Sequence, residues 1–293
     1  MEENRVYTVK GIEISDNQKE AVQGITIEYP YVLHYSDISR NPIPWHWHEE
    51  VEFGYVLNGE LEILTAEKSC VLTKGQGYFM NSNVLASMPK AEKAEVHTHL
   101  LHPVFLGGHF HSVFETKYIN PVIHNRSLEL LELKGENENQ KQILKKLLQA
   151  HALQKIKDTE FQTRNIFSEI WILLIKEIAA QPVRSVNLKN QDRIQTMLSF
   201  IHQNYGEKLT LEKIAASAAV SSRECIRCFQ TTIRKPPVEY LMDYRLDMAK
   251  KLLKETKLSV TEVGLQTGFS SSAYFGKVFR EKTGITPAKY RRI

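Results

Sequence analysis

Apolar and polar positions along residues 25–106 fall into short runs. ITIEYPYVLHY, EEVEFGYVL, ELEILTAE and CVLTKGQGYFM are rich in β-branched and aromatic residues and are separated by turn formers. That is the pattern of strands. Asn58-Gly59 lies between two of these runs. It predicts a tight type I′ hairpin, because both residues tolerate positive φ. Many short strands with regular turns predict a sandwich or a small barrel. From about Asn137 the period becomes helical. Ile143, Leu147, Leu148 and His151 mark one amphipathic stripe; Phe161, Ile166, Phe167, Ile170, Leu174 and Ile178 mark a second. Pro182 ends this region, and residues 183–190 read as a polar linker.

Everything after the linker has helical spacing. Ile194, Leu198, Ile201 and Tyr205 place one helix, which Gly206 stops. Thr210 is positioned to cap the next. Ser221 with Glu224, and Ser259 with Glu262, have the Ser-x-x-Glu spacing of a capping box. Pro236-Pro237 opens a longer helix through Leu253. Part of this region repeats. Ile214 and Ala215 recur as Val263 and Gly264 after 49 residues, and Phe229, Pro237 and Tyr240 recur as Phe279, Pro287 and Tyr290 after 50. Each unit reads short helix, turn, second helix, then Pro-x-x-Tyr. That is the layout of a helix-turn-helix, whose second helix enters the major groove. Repeated helical pairs also build solenoids, but two copies are too few for one.

Composition narrows the picture. A chain of 293 residues predicts two domains. Its apolar share of 42% and charged share of 25% exclude disordered, collagen-like and disulfide-scaffold classes. Three cysteines, an odd and sparse count, suit a reducing compartment. The first 20 residues lack a basic stretch followed by an apolar one, so no signal peptide is expected. IWILLIKEIAA is broken by Lys176 and Glu177 and is far short of the ~20 apolar residues of a spanning helix. A soluble cytoplasmic protein with no membrane partner is expected. Residues 191–293 carry 18 Lys and Arg against 10 Asp and Glu, whereas residues 1–190 carry 20 against 24. A basic third on an acidic two-thirds predicts a nucleic-acid-binding module joined to a domain of different purpose.

The stretch RLDMAKKLLKETKLSVTEVGLQTGFSSSAYFGKVFREKTGITPAKYRR resembles the C-terminal half of the AraC/XylS-family DNA-binding domain. Arg245, Leu246, Ala249, Leu252, Leu253, Gly268, Phe269, Tyr274, Phe275, Phe279, Gly284, Pro287, Tyr290 and Arg291 carry the match, and the resemblance spans about 100 residues. Three departures stand out. Arg234 replaces a usual glycine, Gly264 a usual alanine, and Cys225 and Cys228 take positions usually filled by apolar residues. HWHEEVEFGYVLNG resembles the first cupin motif through His46, His48, Glu52 and Gly59, without the motif's earlier glycine. The second motif survives in Gly75 and Gly77, but its histidine is replaced near Ala86.

The resemblance implies an α+β protein of two domains. A cupin-like jelly-roll β-barrel (1–135) binds an effector, helices in 136–182 dimerise, 183–190 link, and an all-α double helix-turn-helix domain (191–293) binds DNA. His46, His48 and Glu52 have the residue types and spacing of a first-row metal site. Either they converge inside the barrel, as the resemblance implies, or they are solvated strand polars, since Trp45, Trp47, Val51, Phe53 and Tyr55 make the apolar parity. With Ala86 at the fourth place, a small-molecule pocket without a stoichiometric metal is expected, unless His97, His99, His109 or His111 substitutes. Trp45 and Trp47 admit a carbohydrate effector, because aromatic faces stack on sugars; packing is the competing use. Trp45, His46, Trp47, His48, Glu52 and Tyr55 are the candidate pocket residues. Cys225-x-x-Cys228 has metal and redox spacing, but without a second pair it predicts core packing.

On the two second helices, Cys225, Cys228 and Phe229, and Phe275 and Phe279, predict the buried faces. Ser222, Arg223, Ile226 and Arg227, and Ser272, Ala273 and Lys277, are then the groove-facing candidates. Arg223 and Arg227 suit guanine and Ile226 a thymine methyl, so the first helix is expected to discriminate more than the second. The reading is a homodimeric transcription regulator, an activator by resemblance, with double-stranded DNA, a small molecule and RNA polymerase as partners, no cofactor and no enzymatic activity. The rivals are a metal-dependent cupin enzyme fused to a DNA-binding module, and a constitutive regulator whose barrel only dimerises.

Overall fold

A computed structural model of the chain describes residues 6–15, 18–89, 91–109, 111–180, 188–233 and 235–292. It falls into two units, 1–191 and 192–293. The first contains β1 (Val6–Val9), β2 (Tyr31–Asp37), β3 (Ile43–His46), β4 (Val51–Thr65), β5 (Ser69–Thr73), β6 (Gly77–Met80), β7 (Ala86–Met88), β8 (Ala94–Leu101) and β9 (Leu130–Leu133). Two short helices, α1 (Val104–Gly107) and α2 (Asn120–Ile123), lie between β8 and β9, and α3 (Glu138–Leu153) and α4 (Glu160–Ala179) follow.

The strands run β1-β2-β8-β4-β6-β9, while β3, β5 and β7 pair around the far half of β4. Among the described residues β1 and β9 do not pair, so the sheet is not closed into the expected barrel. The predicted hairpin at Asn58-Gly59 is also absent. β4 runs through both residues for 15 positions, and its register against β8 shifts between Val56 and Asn58. Gly59 has φ +76. The pair therefore serves a bulge that bends β4 from β8 and β6 toward β5 and β7, and not a chain reversal.

Alternation sets the two faces of this sheet. Val51 and Phe53 of β4, with Tyr31, Leu33, Phe79 and Leu101, point toward the helices and pack against Phe167, Ile170, Trp171 and Leu174 of α4 and Ile143 and Leu147 of α3. The opposite face carries Val56, Tyr78, Ala94 and Val96, packed with Leu61, Ile63, Leu72, Ala86 and Met88. Asn137 caps α3 by accepting from the Gln140 backbone N–H. The buried Glu177 carboxylate accepts from Asn137 and Gln140, tying the end of α4 to the start of α3. Most of each stripe expected to dimerise thus packs on the sheet, while its members Leu148 and Phe161, with Ile172, remain exposed on these helices.

Three histidines sit at the interface of sheet and helix. The His97 ring stacks on His151 of α3 at 3.8 Å, and the Tyr31 hydroxyl lies 2.8 Å from His99 Nδ1. Burial, then neighbouring His151, pushes His97 down to about 4, and burial pushes His99 down to about 3. The folded chain thus refuses protons that the unfolded chain binds below about 6.5. Burying them neutral costs nothing in protonation above that pH, and the penalty grows as pH falls toward 4, by at most about 1.4 kcal/mol per pH unit for each histidine. The urea midpoint followed by tryptophan fluorescence, all of which comes from this unit, should therefore fall between pH 6.5 and 4.5, and less steeply in His97→Gln. Equal slopes in the two proteins would remove His97 from this account.

The second unit is helical: α5 (Leu188–Asn204), α6 (Leu211–Ser217), α7 (Ser222–Thr232), α8 (Pro237–Glu255), α9 (Val260–Gln266), α10 (Ser272–Thr283) and α11 (Pro287–Arg292). Because α5 starts at Leu188, residues 188–190 of the expected linker are helical. Residues 183–187 and Arg234 lie outside the described residues. No helix among the described residues is long and apolar enough to cross a membrane.

Candidate functional site

His46 ends β3, His48 lies in the following turn and Glu52 belongs to β4. All three are at most 4% exposed, so they are not solvated strand polars. They share the inner face with His34 and Ser36 of β2 and Thr98 and Leu100 of β8 around a cavity of about 20 Å³, room for roughly one water. His46 Nδ1 lies 2.9 Å from the Pro44 carbonyl and His48 Nδ1 3.1 Å from that of Glu50. A carbonyl only accepts, so each Nδ1 carries an N–H and each Nε2 is turned inward. His48 Nε2 faces Glu52 at 3.3 Å, and the other Glu52 oxygen accepts from the Tyr78 hydroxyl. His46 Nε2 faces Glu20 at 3.3 Å.

Glu20 carries no motif and is absent from the sequence-level candidates. The chain around it zips onto the histidine strand: Glu20 N–H donates to the Trp47 carbonyl at 2.9 Å, and Trp47 N–H to Gln18 at 3.0 Å. Burial raises the Glu20 carboxyl to about 7. Burial, then nearby His48, lowers His46 to about 4. Burial alone would lower His48, but the Glu52 hydrogen bond and charge overcome it and raise it. Burial likewise opposes the Glu52 charge, and His48 with Tyr78 holds that carboxyl below its usual range.

A cleft of about 590 Å³ opens beside this cluster, between β1, the segment through Gln23 and β2. Glu20, His34, Val9 and Ile12 line both it and the smaller cavity. The other candidates lie elsewhere. Trp45 is buried, and Trp47 lies under the Lys19 ammonium, 5.5 Å from its ring; neither lines the cleft. Tyr55 pairs with His97 and so takes the opposite parity from Glu52. His97 and His99 face the helices, and His109 and His111 are exposed after α1, so none of the four joins His46 and His48. Ala86 pairs directly opposite His46.

In the second unit, the Thr210, Ser221, Ser259 and Ser271 side chains cap α6, α7, α9 and α10. Ser259 and Glu262 form the full capping box. The Ser221 box is half made: Ser221 accepts from the Glu224 N–H at 3.2 Å, while the Glu224 carboxylate turns to Arg227 and Arg193. Cys225, Cys228 and Phe229 on α7, and Phe275 and Phe279 on α10, are fully buried. A Cβ on Gly264 would sit 2.9 Å from the Phe275 ring, so the missing methyl lets α9 approach α10 closely. Arg223 and Arg227 are exposed, with Ser222 and Ile226 half-buried beside them. Arg227 is held by Glu224 through two contacts, Nε to Oε2 at 2.8 Å and a second nitrogen to Oε1 at 2.6 Å. Arg223 makes no ion pair among the described residues. On α10, Ala273 and Lys277 are exposed, Ser272 is half-buried, and Lys277 reaches Glu281 only at 4.0 Å.

Comparison with known proteins adds the following. A helix-turn-helix domain family matches residues 214–293, and a cupin domain family matches residues 40–97. The uncharacterized HTH-type transcriptional regulator YdeC of Bacillus subtilis is 30% identical across 97% of this chain and 99% of its own. The probable transcriptional regulator LumQ of Photobacterium leiognathi is 24% identical across 84% of this chain and 91% of its own. Among solved structures, a Chromobacterium violaceum regulator with an AraC-type DNA-binding domain aligns with 36% of this chain and 95% of its own, at 32% identity and a TM-score of 0.34.

Proposed function

The chain belongs to the AraC-type helix-turn-helix transcriptional regulators with an N-terminal cupin domain, and from that premise we propose that it is a ligand-controlled activator without enzymatic activity. The observation that carries this is the pairing of two capped helix pairs, each with an exposed polar second helix, with a separate unit holding a cleft of mixed polar and apolar lining. Ser222, Arg223, Ile226 and Arg227 on α7, and Ser272, Ala273 and Lys277 on α10, meet base edges in successive major grooves about 10 bp apart. A small polar molecule enters the cleft and contacts Glu20 and His34, with His46, His48 and Glu52 as its floor. The tryptophan-stacking argument for a sugar gains no support, since neither tryptophan lines the cleft. Control works by population shift: the molecule must bind one arrangement of the protein better than another. RNA polymerase is the partner at activated promoters. Sequencing the DNA bound in living cells tests the reading. Discrete sites upstream of operons are expected; even coverage of the chromosome would contradict it.

The active form is a homodimer, since two chains address repeated half-sites. With most of each stripe packed on the sheet, the exposed stripe members Leu148 and Phe161, together with Ile172, are the apolar surface of α3 and α4 left to pair. Equilibrium sedimentation of the full chain at tens of micromolar should give a dimer, and Phe161→Glu with Ile172→Glu a folded monomer. A monomeric wild-type chain, with and without DNA, would end the assignment.

A further inference from the structure

The two Ser-x-x-Glu motifs of the second unit end differently. At the start of α9 the Ser259 N–H donates to the Glu262 carboxylate at 2.7 Å, which completes the capping box. At the start of α7 the Glu224 carboxylate turns away from the cap. It accepts from Arg227 through both oxygens, at 2.8 and 2.6 Å. The nearer oxygen, Oε1, also accepts from Arg193 of α5 at 3.1 Å. Arg227, then Arg193, hold this carboxyl below its usual range, so it is ionised at neutral pH. Exposed ion pairs contribute little as a rule, but a two-point guanidinium–carboxylate contact is the exception. Because the shared oxygen is bonded to α5, the Arg227 guanidinium is pinned to the flank of α7 that faces α5. Meeting a base edge requires it to swing off that flank.

We propose that Glu224 competes with DNA for Arg227, and so sets how much sequence preference α7 expresses there, while Arg193 is a positioning residue that keeps Glu224 paired when Arg227 leaves. The inference rests on the regulator reading and deepens it. Guanine alone presents two acceptors, O6 and N7, to the major groove, so only guanine exchanges with the carboxylate on even terms. The restraint subtracts from that contact and mutes Arg227 as a reader. Arg193 limits the subtraction in two ways. It draws charge from Oε1, which loosens the grip on Arg227, and it spares a carboxylate beside DNA phosphates from standing unpaired. The device belongs to the first reading helix alone. The repeat places Tyr274 where Glu224 stands, so Lys277 has no carboxylate three residues before it and reaches Glu281 only at 4.0 Å. Arg223, on α7 itself, makes no ion pair among the described residues.

The test is a set of double-mutant cycles in the full-length protein, titrated against the duplex it selects from a random library and against single-base substitutions of that duplex. Glu224→Gln keeps the backbone N–H that Ser221 caps, and should tighten binding about 2–5-fold while sharpening preference at one base pair. Both effects should vanish when Arg227 is alanine. Arg227→Ala, worth less than about fivefold in the wild-type chain, should cost about tenfold in the Glu224→Gln background. Arg193→Ala should weaken binding about twofold in the wild-type chain and change nothing in the Glu224→Gln background. In the DNA-free protein, NMR should find slow exchange of the Arg227 Nε–H in the wild type and fast exchange in Glu224→Gln. A tightening that persists without Arg227 is a general effect of charge and would overturn the proposal. So would weaker or less selective binding by Glu224→Gln, which makes Glu224 a brace for Arg227 or a reader of cytosine. So would a loss in Arg193→Ala that is the same in both backgrounds, which marks a phosphate contact. A wild-type chain that selects no sequence ends the regulator reading and this inference together; preference without coupling ends this inference alone.

Discussion

Replacing Gly59 with alanine should cost the N-terminal unit about 3 kcal/mol or more, since backbone strain and overpacking each contribute ~1–3 kcal/mol. Gly59 sits at φ +76. A Cβ there would fall 1.6 Å from the Lys93 carbonyl oxygen and 2.4 Å from its carbon. Both obstacles are backbone on β4's partner segment, and neither can rotate away. The Glu60 N–H donates to that same carbonyl at 3.0 Å, so relaxing the clash would break a ladder bond. Gly75 is the internal control. It has φ +88 with nothing within 4 Å of its Cβ position, so Gly75→Ala carries only the conformational cost of about 1 kcal/mol. Thermal unfolding should separate the two: a fall of roughly 6–12 °C for Gly59→Ala and a few degrees for Gly75→Ala. Similar shifts for both would mean that the bulge is looser than its geometry indicates.

Arg223 and Arg227 should behave differently, although their spacing makes them look equivalent. Arg223→Ala is expected to weaken binding at the cognate duplex by about 1–3 kcal/mol and to relax preference at one base pair. Arg227 must first release Glu224, which grips it through two contacts and is shared with Arg193. Part of any contact it makes is offset by that loss, so Arg227→Ala should cost less than about 1 kcal/mol. A binding titration of both variants against a library of base substitutions distinguishes the cases. If Arg223→Ala weakens all sequences alike and lowers the salt slope by about one, Arg223 touches phosphate and the base-reading assignment fails.

Much of this was legible in the chain because it rests on local chemistry. Caps, Pro-x-x-Tyr spacing and the inward stripes of Cys225, Cys228 and Phe229 follow from helical periodicity, which neighbours only three or four residues apart determine. The Asn58-Gly59 hairpin was misread for the same reason. Positive φ suits a type I′ turn and a bulge equally, and only the distant partner, β8, decides between them. The helical stripes of 143–178 were visible, but nothing in an apolar stripe tells whether a sheet or a second subunit covers it. Glu20 was invisible because it stands 26 residues before His46 with no spacing rule to connect them. Its place comes from a pairing between segments that sequence periodicity does not encode. Gly264 read only as a departure from a usual alanine, whereas the close approach of Phe275 gives the missing methyl a use.

The most direct test of the regulator assignment is hydroxyl-radical footprinting of the full chain on a duplex it has selected from a random library. The account predicts that selection enriches a defined sequence, and that each bound chain protects two short segments on one face of the duplex, about 10 bp apart. Arg223→Ala should weaken one of those segments and leave the other. A library that stays unenriched, or a single protected segment per chain that survives in Arg223→Ala, would contradict the two-helix readout.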